Sequence, residues 1–184
     1  MFSYRKRLLF PIHIEHPDEK FAAVLLADYD GPDSEFAAFV RYMYHSLYMI
    51  NPYVRDLLGM MAAEELSHWE MIGVVIRKLG LADLPPYDSS GEFYDAHSLG
   101  KDKDILEMLK NDEEAEELAK KRYTKLLNLT NDVYIKRLLR FLIRREAVHQ
   151  KLINKTINIL TLDVGYEQYA AIIHEYKMSL RVVQ

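Results

Sequence analysis

The feature that most constrains this chain is a pair of metal-capable side chains, occurring twice, in helical stretches that are otherwise apolar. Glu65 and His68 lie within AEELSH, and Glu146 and His149 lie within REAVH, 81 residues further along. A glutamate and a histidine three residues apart share one helix face. The face of Glu65 carries Leu58, Met61 and Ala62 before it and Ile72 and Ile76 after it. The face of Glu146 carries Leu139, Leu142 and Ile143 before it and Ile153 and Ile157 after it. Both pairs therefore point towards a core at helical period. A carboxylate and an imidazole are costly to bury unless something pairs with them. One Glu-x-x-His is a weak motif, and it is not the zinc-protease pattern, because Glu64 stands where that pattern requires a histidine. The second copy, in the same setting, gives it weight.

The surrounding sequence predicts helices and no strand. A short helix is expected over Asp18–Tyr29, then long ones over Asp33–Ile50, Tyr53–Leu79, Asn111–Leu129 and Asp132–Leu160, with a last one over Tyr166–Leu180. Asn51–Pro52 and Thr130–Asn131 are links so short that the helices they join must be antiparallel neighbours. Between the two pairs, residues 81–104 are rich in Pro, Gly, Ser and Asp and read as a long crossover. Two antiparallel hairpins joined by one long crossover make an all-α, ferritin-like four-helix bundle, here with extra N- and C-terminal helices. A chain of 184 residues is read as a single domain, 1–184, beginning with an extended arm over 1–17. His13, Glu15 and His16 in that arm read as surface residues, because Pro17 discourages a helix that would gather them.

The other two long helices should each offer an inward carboxylate. Glu35 shares its face with Ala38, Phe39, Tyr42 and Met49; Glu116 shares its face with Ala119, Tyr123 and Leu127, whereas Glu117 faces Lys120, Lys121 and Thr124. The spacing unites the set. Glu35 to Glu65 and Glu116 to Glu146 are both 30 residues, and Tyr42 and Tyr123 each lie seven residues after their glutamate. The chain is thus two copies of one hairpin presenting Glu, Tyr and Glu-x-x-His in order. The same register separates Glu64 from Glu65: the place of Glu64 is taken by Arg145 in the second copy, so Glu65 is the ligand candidate and Glu64 a neighbour, exposed or beside the ligands. One Glu from each of two helices with one Glu-x-x-His from each of the others is the pattern of dimetal carboxylate bundles. Four buried carboxylates repel one another, and two divalent cations neutralise them without protons. Carboxylates and imidazoles suit manganese, iron or zinc alike. Tyr42 and Tyr123 are packing residues or hydrogen-bond donors to ligands. His45 and His174 read as partly exposed, and His97, in the crossover, as solvent-exposed.

Composition excludes several alternatives. With no cysteine there is no disulfide, thiolate ligand or cysteine nucleophile. A net charge of −4 without a dominant basic patch argues against nucleic acid or membrane surfaces as partners. No window has the length of a membrane span, and the opening MFSYRKRLLFPIHI lacks a signal-peptide cleavage pattern, so a cytoplasmic location is expected.

With these residues in place, the sequence resembles the manganese catalases, in particular their short relatives, the CotJC-type spore-coat proteins. The resemblance is carried by YRKRLLFPIHIEHPDEKFAAVLL, GPDSEFAAFVRYMY, AAEELSHWEMIGVVI, AEELAKKRYTKLLNLTND and LRFLIRREAVHQ, and it covers nearly the whole chain. It implies two manganese ions, with iron as the alternative, and a catalase that disproportionates hydrogen peroxide. It implies Glu65 as the bridging carboxylate, Glu35 with His68 and Glu116 with His149 as terminal ligands, and Glu146 as a ligand or a proton relay. Tyr42 matches a position that hydrogen-bonds near the metals. A homo-oligomer, spore-coat proteins as partners and a spore-coat location are further implications. One departure is local: Ser34-Glu35-Phe36 replaces the family's usual Gly-Glu-Leu.

Overall fold

In the computed structural model the described residues are 10–84, 91, 99, 104–162 and 165–181. They form six helices: α1 (Glu19–Asp30), α2 (Glu35–Tyr48), α3 (Pro52–Lys78), α4 (Ile105–Leu129), α5 (Val133–Leu162) and α6 (Tyr166–Ser179). Among the described residues there is no strand, and no helix is long and apolar enough to cross a membrane. Most of the crossover expected over 81–104, the first nine residues of the arm and His97 lie outside the described residues.

Local sequence explains where the helices begin. Asp18, Ser34 and Asp104 each accept a hydrogen bond from the backbone three residues on, and Asn51 does so just before Pro52 at the first helical position. Asp132 caps α5 by accepting from Tyr134 and Ile135. The cap at Asp104 starts α4 six residues earlier than the expected Asn111, and the added turns bury Met108 and Leu109. α3 stops at Gly80, whose φ of 110° is left-handed backbone that favours glycine.

α2 packs along α3 and α4 along α5; α1 lies on α3, while α6 lies across α5 and α3. The apolar residues fall into two clusters. One joins α1 to the later turns of α3 and α4 and the early turns of α5, around Leu25, Ile72, Ile76, Leu126, Leu138 and Leu142. The other joins α2, the early turns of α3, the start of α4, the later turns of α5 and α6, around Leu58, Met61, Met108, Leu152 and Ile153. Each fully buried aliphatic side chain contributes about 1.5–3 kcal/mol. Between these apolar plugs lies a polar layer: Glu64, Glu65 and His68 on α3, and Arg145, Glu146 and His149 on α5, all buried. Water is excluded from above and below it.

Candidate metal centre

The bundle brings all six sequence-derived candidates into that layer. Glu35, Glu65, His68, Glu116, Glu146 and His149 are at most 3% exposed. They fall into two groups whose nitrogen and oxygen atoms lie within 4.8 Å of one another: Glu35, Glu65, His68 and Glu146, and Glu65, Glu116, Glu146 and His149. Each group has a glutamate from α2 or α4 and a histidine from α3 or α5, and the groups share Glu65 and Glu146.

The histidines turn corresponding atoms inward. His68 Nδ1 lies 2.9 Å from Glu65 Oε2, 3.2 Å from Glu146 Oε1 and 3.5 Å from Glu35 Oε2. His149 Nδ1 lies 2.7 Å from Glu65 Oε1, 3.4 Å from Glu146 Oε2 and 3.5 Å from Glu116 Oε1. Despite these approaches, Glu65 Oε1, both oxygens of Glu146 and His149 Nδ1 form no aligned hydrogen bond. Native proteins rarely leave so many buried polar atoms unsatisfied. Lone pairs that converge on common points instead of on one another are what a metal cage requires, and the donor set of carboxylate and imidazole fits a pair of divalent ions.

Electrostatics lead the same way. Burial, then repulsion from Glu65, pushes Glu35 up to about 8. Burial, then repulsion from Glu146, pushes Glu116 up to about 7. Both imidazoles are held well above the usual histidine range: their burial opposes the charge, but the carboxylates around them outweigh it. Without cations, the cluster keeps protons at neutral pH that divalent ions would displace.

Tyr42 reaches across from α2 and donates its hydroxyl to Glu116 Oε1. Its counterpart Tyr123 is equally buried, but its hydroxyl has no hydrogen-bond partner, so the two tyrosines differ.

A narrow cleft between α2 and α4 leads to the shared carboxylates. Its walls include Ala38 and Ala119, and the partly exposed Arg41 and Arg122 flank it. Each of these is a pair 81 residues apart, so the cleft follows the internal two-fold relation of the hairpins. Both guanidinium groups are anchored by a buried aspartate: Arg41 Nε lies 3.1 Å from Asp112 Oδ1 and Arg122 Nε lies 3.0 Å from Asp28 Oδ1. Burial pushes Asp28 up to about 6 even with Arg122 beside it.

One expectation needs correction. His45 is buried, because its Nδ1 lies 2.9 Å from Asp112 Oδ2; His174 is exposed. Of the two places left open for Glu64, exposed or beside the ligand candidates, it takes the second. It is buried and bonded to Arg145, Tyr176 and His149. The sequence held one sign of this, opposite charges at equivalent positions of the two hairpins, which suits a pair meeting across the internal axis. Asp112 had a weaker one, its position four residues before Glu116.

Comparison with known proteins shows the family. The sequence pattern of the family described as manganese containing catalase matches residues 1–86 and 80–167. Protein CotJC of Bacillus subtilis is 30% identical over 180 residues, covering 87% of this chain and 95% of the relative. A protein of Clostridium acetobutylicum named "Probable manganese catalase" is 27% identical, covering 86% of this chain and 80% of that one. The crystal structure of KatB, a manganese catalase from Anabaena, superposes with a TM-score of 0.80 at 26% identity, covering 88% of this chain and 81% of that chain. The chain, with its buried carboxylate and histidine cage, belongs to the manganese containing catalase family.

Proposed function

We propose that this protein disproportionates hydrogen peroxide to water and dioxygen, with two manganese ions held by Glu35, Glu65, His68, Glu116 and His149, and with Glu146 as a further ligand or a proton relay. The observation that carries this reading is the pair of overlapping buried clusters, sharing Glu65 and Glu146, whose unpartnered atoms converge. Bound there, the metal pair supplies storage for two electrons, one per ion, which lets one peroxide be reduced and the next oxidised.

The chain's own groups do the rest. Glu65 offers one oxygen to each histidine's side of the cage and so suits a bridge. Reduction of one peroxide consumes two protons, and oxidation of the other returns them, so a residue must hold protons between the halves. Glu146 takes this role, or that of a further ligand; what supports it is that both its oxygens are buried in the cage without hydrogen bonds. Tyr42 fixes the orientation of Glu116 through its donated hydrogen bond. The narrow alanine-walled cleft admits a molecule the size of peroxide, while the apolar clusters on either side exclude bulk water.

Loading the protein with manganese and following oxygen with an electrode tests this reading. One dioxygen per two peroxides, without any reductant, is the expected result. Consumption that stops until a reductant is added would replace it with an iron-type peroxidase or oxidase. The likeness to CotJC, together with the spore-coat setting that the sequence resemblance implies, favours one second reading, a coat protein whose metal site stabilises it. Under that reading Glu35→Ala lowers the melting temperature, and no oxygen evolution is present to be lost.

A further inference from the structure

The outward nitrogens of the two histidines face a single carboxylate. Glu64 lies on α3 between them: its Oε2 is 3.0 Å from His149 Nε2, and its Oε1 is 3.6 Å from His68 Nε2. The first distance is a hydrogen bond. The second is not, and His68 Nε2 has no hydrogen-bond partner. Glu64 is itself clamped. Arg145 of α5 grips it with two nitrogens, Nε on Oε1 and Nη2 on Oε2, and Tyr176 of α6 donates to Oε2 at 2.7 Å. Arg145 is held in turn by Ser179 Oγ at 3.1 Å, and the Tyr176 hydroxyl also lies 3.0 Å from the Met60 carbonyl. Oε2 thus collects three donors, a crowded number for one carboxylate oxygen.

The grip has two consequences. A carboxylate gripped by arginine stays ionised, and it accepts a hydrogen bond only from a histidine protonated on Nε2, which leaves Nδ1 free to ligate. A hydrogen bond from the outward nitrogen of a ligating imidazole to a carboxylate also raises its basicity and fixes its ring, and of the two outward nitrogens only that of His149 has one.

We infer that Glu64, clamped by Arg145 and Tyr176, is a positioning residue that fixes His149 with Nδ1 towards the metals and makes the His149 position the tighter of two unequal metal positions. This rests on the reading that the cage holds two divalent ions. It makes α6 part of the site, although no residue of α6 lies within the cage.

Titration of the metal-free protein with Mn(II), with free ion read from its paramagnetic resonance signal, tests the inference without any turnover. The wild type takes up two ions in two steps at least about tenfold apart. His149→Gln removes the tighter step and His68→Gln the weaker one. Replacing Glu64→Gln together with Arg145→Met, which leaves no orphan charge, weakens the tighter step about 10- to 100-fold and spares the other. Tyr176→Phe, which removes one hydrogen bond and no charge, weakens the same step by a smaller factor and decides the matter alone if the double variant does not fold. Two coincident steps in the wild type, or variants that leave the tighter step unchanged or weaken both steps equally, overturn the inference. A wild type that binds fewer than two ions fails the metal reading itself, a different result.

Discussion

The α2–α3 hairpin and the α4–α5 hairpin supply matching halves of the cage, yet they differ just behind it. Glu35, Glu65 and His68 on the first have their counterparts in Glu116, Glu146 and His149 on the second, and all six are buried. Behind the ligands, Glu64 of the first meets Arg145 of the second, residues that occupy equivalent positions with opposite charge. Two identical acids there would repel, and two identical bases likewise; unlike residues close the axis with a buried pair. The tyrosines diverge as well, since Tyr42 bonds to Glu116 while the Tyr123 hydroxyl has no partner. The duplication gathers the six side chains, and the two copies differ in what stands behind them.

The largest expected effect comes from exchanging the shared carboxylates. Glu65→Gln should strip both ions, seen by metal analysis after gel filtration. Glu146→Gln, acting through the proton path, should keep metal but lower peroxide turnover about 10²- to 10⁴-fold. Loss of metal in both variants would give Glu146 the role of ligand and make the halves alike. The terminal carboxylates come next: Glu35→Gln and Glu116→Gln should each lower metal content from two ions per chain towards one.

A smaller effect is set by protons that compete with metal. Glu35 is held up to about 8 and Glu116 up to about 7, chiefly by burial, so below these values the cage is protonated and binds cations weakly. Affinity for Mn(II) should therefore rise as pH increases through about 7 to 8, and go on rising while the raised imidazoles of His68 and His149 lose their protons, with protons released on binding. A pH-independent affinity between 6 and 9 would contradict this.

The smallest effects separate the tyrosines. Tyr42→Phe removes a hydrogen bond to Glu116 and should cost about 1–2 kcal/mol of stability in the metal-free protein. Tyr123→Phe removes a hydroxyl without a partner and should be neutral or stabilising, within about 1 kcal/mol, by chemical denaturation.

The helices and the six cage residues were legible in the sequence because helical period and a repeated spacing both act locally. The ferritin-like bundle followed from the lengths of the links. Glu64 was harder. Helical period alone leaves Glu64 either exposed or beside the ligand candidates; because α3 is covered by α1, α2, α5 and α6, it is buried along with the expected stripe. His45 was misread for a related reason, since Asp112, its partner, comes from another helix 67 residues away. The early start of α4 came from the cap at Asp104, placed in a polar stretch that read as crossover. Contacts across the bundle leave no periodic trace in one strand of sequence, so they were the part that needed the structure.

Crystals of the protein loaded with manganese, measured at the manganese absorption edge, test the central claim most directly. Two anomalous peaks are expected between Glu65 and Glu146, one beside Glu35 and His68 and the other beside Glu116 and His149. A single peak, or none within the cage, would contradict it.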